Sequence, residues 1–205
     1  MSRWIELPLV AILYVLTLPI QIGAAITIRL ILGPPLLFRQ DRVGQDGKTI
    51  TLCKMRTMND RRGADGALLP DGMRVTPFTR LVRRLRLDEL PQLWMILRGD
   101  MALVGPRPLL PATLAQFGAL GRMRNSVRPG LTGWAQVSGN TRLDDREKLA
   151  LDLWYVAHRS AILDGRILLE TAATALFGER RDEPRVHQAL DWFTRGLLAQ
   201  PREAS

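Results

Sequence analysis

The sequence predicts an α+β chain, mostly helical, with an N-terminal helix inserted in a membrane. Three observations carry this. Residues 7–28 contain no formal charge. Two β-leaning runs, residues 36–43 and 48–55, flank the turn sequence Gly44-Gln45-Asp46-Gly47. Between residues 144 and 177, apolar residues recur at helical spacing: Leu149, Leu153 and Val156, then Ile167, Leu168, Ala172 and Leu176.

Glu6 and Arg29 bracket the charge-free run. At ~1.5 Å per residue it reaches about the ~30 Å of a bilayer core. A secretory signal would have a shorter apolar stretch and a more basic front than Arg3 alone. A buried core helix of this length with no polar face would be out of proportion to so small a domain. Pro19 removes a backbone donor and crowds the carbonyl of Val15, which predicts a bend or break, with the Thr17 hydroxyl placed to satisfy a freed carbonyl. Arg3 precedes the run, and Arg29, Arg39 and Arg42 follow it. Basic residues at both ends favour the cytoplasmic face for both, so re-entry is favoured over a kinked span.

Gly33-Pro34-Pro35 ends the membrane element, and a small β-hairpin follows. Residues 59–72, rich in Gly, Asp and Arg, read as a surface loop. Thr76-Pro77 is a helix start, with an N-cap hydroxyl followed by proline at the first helical position. That helix runs to about Leu85. A second begins near Leu87, tolerates Pro91 in its first turn, and stops at Arg98-Gly99. Residues 101–111 are Pro-rich and read as irregular. Residues 128–134, Arg-Pro-Gly-Leu-Thr-Gly-Trp, form another loop. Helices are predicted over 144–158 and 161–177. Trp154 and Tyr155 suit either a membrane interface or ordinary core packing. Residues 178–184 break the pattern, and 188–199 predict a short amphipathic helix with Leu190, Trp192, Phe193 and Leu197. The implied organisation is a membrane-inserted segment over 1–32, a main domain over 33–178 and a tail over 179–205.

Of the 205 residues, 46% are hydrophobic, enough for a packed core, which excludes a disordered chain. The net charge of +9 favours polyanionic partners such as nucleic acid, anionic lipid or phosphorylated small molecules. A single cysteine, Cys53, excludes an internal disulfide and a thiolate zinc cluster, and a reducing compartment is the simpler fit. Two histidines, His158 and His187, argue against a multi-histidine metal site.

The chemistry concentrates in Leu87-Asp88-Glu89-Leu90-Pro91-Gln92. Two adjacent carboxylates stand at a helix start, with Arg83, Arg84 and Arg86 before them and Arg107 following in Gly105-Pro106-Arg107-Pro108. The helix dipole and the guanidiniums are expected to keep the acids ionised. An ionised Asp88 is able to attack phosphorus, and the Asp88–Glu89 pair is able to hold Mg²⁺ together with substrate phosphates. Arg107 suits a bidentate phosphate clamp. An Asp-Glu pair after arginines is, by itself, usually a capping and solubility device. Its combination with a membrane segment and a second Arg-Pro loop points to phosphate chemistry at a membrane.

Six ordered stretches make the chain resemble the bacterial sugar transferase family, the monotopic polyprenol-phosphate phosphoglycosyl transferases. They are residues 38–44, Phe-Arg-Gln-Asp-Arg-Val-Gly; 54–58, Lys-Met-Arg-Thr-Met; 87–94, Leu-Asp-Glu-Leu-Pro-Gln-Leu-Trp; 98–101, Arg-Gly-Asp-Met; 104–108, Val-Gly-Pro-Arg-Pro; and 128–137, Arg-Pro-Gly-Leu-Thr-Gly-Trp-Ala-Gln-Val. Residues 151–156 continue it, and the likeness covers roughly 8–177. The resemblance implies a UDP-sugar donor, an undecaprenyl phosphate acceptor and Mg²⁺. It makes Asp88 the nucleophile that carries a phosphosugar after UMP leaves, with Glu89 as partner acid. Arg83 and Arg107 match family positions near phosphate, and the cations Lys54, Arg56 and Arg128 in the matching stretches join them as candidate phosphate ligands. The implied setting is the inner, cytoplasmic membrane of a bacterium, in contact with its lipids. There a helix broken at Pro19 re-enters, and interfacial amphipathic helices surround a catalytic domain on the cytoplasmic face. Such a step serves capsule, O-antigen, lipopolysaccharide, exopolysaccharide or protein-glycan biosynthesis, and the sequence does not select among them.

This sequence departs from the family pattern in three places. Leu18-Pro19 stands where the family has Ser-Pro, Ser138-Gly139-Asn140-Thr141 stands where Asn-Gly-Arg-Asn is frequent, and the last twenty-odd residues, a candidate dimer contact, are unlike the usual tail. A non-catalytic, membrane-anchored basic module binding anionic lipid or nucleic acid would also explain the charge and the anchor. It would not require Asp88-Glu89 or the Gly-Pro-Arg-Pro loop, and no nucleic-acid-binding motif is present, so nucleic acid is not an expected partner.

Overall fold

The computed structural model describes residues 2–197. Helix α1 spans Arg3–Leu32 and is long and apolar enough to cross a membrane. It is one continuous helix through Pro19, so the proline does not interrupt it. Thr17 accounts for part of this tolerance. Its hydroxyl donates to the carbonyl of Leu13 at 2.7 Å, one turn back, and accepts from the Gln21 side chain at 3.0 Å.

One face of α1 lies on the rest of the chain, and both of its ends are fixed there. At the N-terminal end Arg3 donates to the carbonyl of Ile96 at 2.7 Å. Glu6 is buried and accepts from the backbone N–H of Leu103 at 2.8 Å. At the other end Ala24 and Ile28 pack with Met55 and Val82, and Arg56 donates to the carbonyls of Leu32 and Gly33. The opposite face exposes Trp4, Leu9, Ile12, Leu16, Ile20 and Leu30.

The predicted hairpin forms. Strands β1 (Leu37–Val43) and β2 (Thr49–Met55) pair antiparallel from Leu37↔Met55 to Val43↔Thr49. The turn between them places Asp46 in the left-handed region at φ 53°, which Asp tolerates better than most residues. The surface loop contains one short helix, α2 (Asp71–Arg74). Helix α3 (Pro77–Arg84) starts as its sequence requires, with the Thr76 hydroxyl accepting from the N–H of Thr79.

The second helix begins later than expected. Residues Leu87–Glu89 form a single 3₁₀ turn, and α4 spans only Gln92–Arg98 before Gly99 stops it at φ 98°. Pro91 has no N–H to give the carbonyl of Leu87, so an α-helix cannot start there. Residues 101–111 are not wholly irregular either. Ala102–Val104 is a strand, β3, parallel to β4 (Gly130–Thr132), a pairing that no local pattern reveals.

The remaining helices are α5 (Pro111–Gln116), α6 (Gly118–Arg124), α7 (Trp134–Val137), α8 (Asp145–His158), α9 (Ala161–Phe177) and α10 (Glu183–Trp192). A reciprocal cap between Asp144 and Glu147 opens α8. Helix α10 begins before residue 188 because Asp182 caps it and proline occupies its first turn. A wider turn over Phe193–Leu197 follows, and the end of the expected amphipathic segment lies outside the described residues. One core joins Val10 of α1, Leu93 and Ile96 of α4, Leu153 of α8, Ile167 of α9 and Val186 of α10. Trp154, partly buried, packs against this core. It stacks between Trp134 and His158, with centroids 5.5 and 4.4 Å away, and Trp192 meets the edge of His158. Helix α9 exposes Ile162, Leu169 and Leu176 at seven-residue spacing, with Phe177 beside them.

Arg124 is the largest fully buried side chain. It joins Asp152 of α8 at 2.7 Å, donates to the carbonyl of Arg107 at 2.6 Å and to the side chain of Asn125 at 3.0 Å. Arg124→Met would strand the Asp152 carboxylate in the core, so a loss of about 3–5 kcal/mol is expected in denaturant titration. A loss below 1 kcal/mol would show that the pair contributes little.

Candidate active site

The 3₁₀ turn is set by Arg86, which adopts a left-handed backbone at φ 54°. A non-glycine residue there costs of order 1–3 kcal/mol, so the surrounding structure must enforce it. The turn carries Asp88 and Glu89 inward, where both are buried. One 3₁₀ turn has too few aligned peptides for a macrodipole, so the charge environment comes from side chains rather than from a helix end.

Arg107 reaches the dyad from the Gly-Pro-Arg-Pro loop after β3. A Cβ on Gly105 would come within 2.5 Å of the Arg128 carbonyl, and one on Gly130 within 2.1 Å of the Gly105 nitrogen. Only glycines permit this approach of the two loops. The contact is closed by Gly105 N–H to Thr132 and Gly130 N–H to Pro106, both 2.9 Å. With Arg124 holding its carbonyl, Arg107 has a fixed origin, and its guanidinium meets Glu89 at 2.6 Å.

The two acids are treated differently. Glu89 lies between Arg107 and Arg86, the latter at 3.5 Å. Burial raises its pKa, but Arg107, then Arg86 and Lys54, outweigh that and hold it below the usual carboxylate value. Asp88 has no ion-pair partner within 4 Å among the described residues. Burial foremost, then the Glu89 charge, raises its pKa, and Lys54, its own backbone N–H and Arg83 only partly offset this. The expectation that nearby guanidiniums depress both acids therefore fails at Asp88, because the guanidiniums bind Glu89 and leave Asp88 the desolvation. Lys54, on β2, is itself lowered, by burial first.

A cavity of about 480 Å³ opens over the dyad and is lined by Lys54, Arg83, Arg84, Arg86, Arg107 and Arg142. Of the candidates named from the sequence, Lys54, Arg83, Asp88, Glu89 and Arg107 come together there. Two do not. Arg56 caps the end of α1, and Arg128 pairs with Glu6 at 3.3 Å on the far side of the β3–β4 pairing. Both serve the seat of α1. Pro19 lies mid-helix, away from the dyad. Sequence reasoning missed Arg142, Thr174, Gly178 and Glu179 of the cavity wall, and it marked Asn140 and Thr141 only as part of a departure from the family pattern. A second cavity of about 270 Å³ shares Arg86, Glu89 and Thr174 with the first. Its walls are apolar, among them Leu13 of α1 and Leu168 and Ala172 of α9, and the buried amide of Gln136 faces it with no hydrogen-bond partner.

Among the described residues no group of three or more His, Cys, Asp or Glu is placed to hold a metal ion. Those residues therefore form no all-protein metal cage. Two adjacent carboxylates are nevertheless the donor set with which Mg²⁺ is held jointly by protein and substrate phosphates.

The sequence pattern described as bacterial sugar transferase matches residues 1–178. An uncharacterized sugar transferase of Bacillus subtilis is 47% identical over 152 residues, 74% of this chain and 75% of that protein. The UDP-glucose:undecaprenyl-phosphate glucose-1-phosphate transferase of Caulobacter vibrioides is 38% identical over 189 residues, 85% of this chain and 69% of that protein. A UDP-N-acetylgalactosamine-undecaprenyl-phosphate N-acetylgalactosaminephosphotransferase of Aeromonas hydrophila is 38% identical over 168 residues, but the match spans only 40% of that longer protein. The chain belongs to the bacterial sugar transferase family of enzymes.

Proposed function

We propose that this protein moves a sugar-1-phosphate from a UDP-sugar to undecaprenyl phosphate. The observation that carries this reading is the asymmetry of the dyad: Glu89 is neutralised by two arginines, while Asp88 is buried, unpaired and made more basic, inside a cationic cavity. Asp88 attacks the phosphorus next to the sugar. The bond from that phosphorus to the bridging oxygen breaks, and UMP leaves with the electron pair. A phosphate oxygen of the acceptor then attacks the same phosphorus, freeing Asp88 and giving undecaprenyl-diphospho-sugar. Arg107, Arg83 and Lys54 bind phosphate oxygens and stabilise the charge that builds there. Asp88 and Glu89 are the residues that would hold Mg²⁺ alongside the donor. When bound, the ion would lessen repulsion between carboxylate and diphosphate.

The acceptor is an amphiphile, and the paired cavities suit one. Its phosphate belongs with the cations, and its first isoprene units with the apolar cavity between α1 and α9. Membrane seating follows the same logic. Both ends of α1 bind one domain, so ~30 Å of hydrocarbon cannot separate them. The reading this supports is a helix bent at Pro19 without a break, so that it enters and leaves on one face, the cytoplasmic one, with the apolar stripe of α9 beside it.

The test is UMP release from a panel of UDP-sugars, with Mg²⁺ and undecaprenyl phosphate, by protein in nanodiscs. UMP from one sugar, lost on chelation, supports the reading. Folded protein that releases none from any sugar refutes it. Because Asp88 must be ionised to attack and its pKa is raised, kcat/KM is expected to climb with pH along a limb lying above the ordinary carboxylate value. A limb at or below that value would assign the essential acid elsewhere.

A further inference from the structure

The family match ends at residue 178, yet the next side chain enters the dyad cavity. Helix α9 stops at Gly178, whose φ of 87° turns the chain back over the site. Glu179 there is half-buried and accepts four hydrogen bonds. One carboxylate oxygen takes the Arg86 guanidinium at 3.1 Å and the Asn140 amide. The other takes the Thr141 hydroxyl at 2.6 Å and its N–H at 3.3 Å. Arg86 also pairs with Glu89, so one guanidinium links Glu179 to the dyad.

The turn that Glu179 holds passes through two successive residues of positive φ, Gly139 at 147° and Asn140 at 47°. Gly and Asn permit that course, and the bonds from Glu179 to Asn140 and Thr141 fix it in one place. Its neighbours supply more: Arg181 donates to the carbonyl of Arg142 at 3.0 Å and grips Glu147 at 2.6 Å, while the N–H of Asp182 donates to Ser138 at 3.0 Å. Residues 178–182 are thus stitched along 138–142, and the two strips form one rim of the cavity. Residues 138–141 are also where the sequence departs from the frequent family pattern Asn-Gly-Arg-Asn.

We propose that Glu179 is a positioning residue for donor binding. By holding Arg86 and the 139–141 turn in place, it makes the segment after α9 part of the donor site of this chain. The proposal rests on the sugar-phosphate transfer argued above. Without Glu179 the donor would itself have to order the turn, which weakens its binding while the attacking carboxylate is untouched. Three of the four hydrogen bonds go to the turn and one to Arg86, so support, rather than competition with substrate phosphate for Arg86, is the dominant role.

The experiment compares wild type, Glu179→Ala and Glu179→Gln in nanodiscs. It measures KM for the UDP-sugar, kcat for UMP release, and direct calorimetric binding of UDP with Mg²⁺. Glu179→Ala is expected to raise KM and the UDP dissociation constant about tenfold, the weight of about one charged hydrogen bond, with kcat within about threefold of wild type. Glu179→Gln, which keeps an acceptor for the turn, is expected to fall between the two. Unchanged KM and UDP affinity in the Ala variant overturns the proposal, as does tighter binding in both variants, which would make Glu179 a competitor of the substrate. A fall in kcat with KM unchanged also overturns it. Wild-type protein that neither binds UDP nor releases UMP would instead remove the transferase reading itself.

Discussion

Asp88→Asn is expected to eliminate UMP release, by roughly 10⁴-fold or more, with the protein still folded. The amide has the shape of the carboxylate but no anionic oxygen, so no acyl phosphate forms. The two half-reactions sharpen the test. Given UDP-sugar and Mg²⁺ but no acceptor, wild type should release a burst of about one UMP per enzyme, and the variant none. Stability should move the other way. The raised pKa of Asp88 means that its folded-state carboxylate is disfavoured by burial, a cost present at any pH above that pKa. At neutral pH the amide removes this cost, so thermal unfolding of Asp88→Asn should occur at or above the wild-type temperature. Residual turnover within tenfold of wild type would place the nucleophile elsewhere, and a sharply lowered unfolding temperature would mean that activity was lost through the fold.

Local chemistry made much of the fold legible. Gly44-Gln45-Asp46-Gly47 determines a hairpin, Thr76-Pro77 a helix start, and the spacing of Leu149, Leu153 and Val156 a helix, because each depends on residues within three or four positions of one another. What was not legible depends on partners far apart in the chain. The strand Ala102–Val104 exists because Gly130–Thr132 lies beside it. The late start of α4 had a local signal, the missing N–H of Pro91, which outweighed the helical pattern. In the site, motif membership marked Asp88, Glu89, Arg107 and Lys54, and a matching family position marked Arg83, but the motifs also marked Arg56 and Arg128, whose guanidiniums secure α1. A stretch shared across a family records residues that hold the fold as well as those that face a ligand. Glu179 carried no local signal, because its partners Asn140 and Thr141 are 39 and 38 residues away.

Arg107→Ala is the second large effect, and its size separates two roles. As a counter-charge, Arg107 keeps Glu89 ionised through a 2.6 Å contact. As a phosphate clamp, it would stabilise charge on the transferred phosphoryl group. Removing one such donor costs roughly 10²–10³ in kcat, and a loss of that order in kcat/KM is expected here. Glu89 should then titrate higher, since the Arg107 charge is the largest influence opposing its burial, so any residual activity should show a second group on the acid limb. Arg107→Lys should recover little, because an ammonium on a flexible stem lacks the planar fork. The decisive comparison is the double variant Arg107→Ala with Glu89→Gln. If Arg107 only balanced Glu89, neutralising the acid would remove the penalty of leaving it unpaired, and the double variant would be no worse than Glu89→Gln alone. If Arg107 also binds the phosphoryl group, its loss persists on the neutral background. The fixed geometry favours the second outcome. Arg124 holds the Arg107 carbonyl at 2.6 Å, and a glycine-to-glycine contact fixes the loop it springs from. A counter-ion for one glutamate needs no such support, whereas a donor aimed at a transition state does.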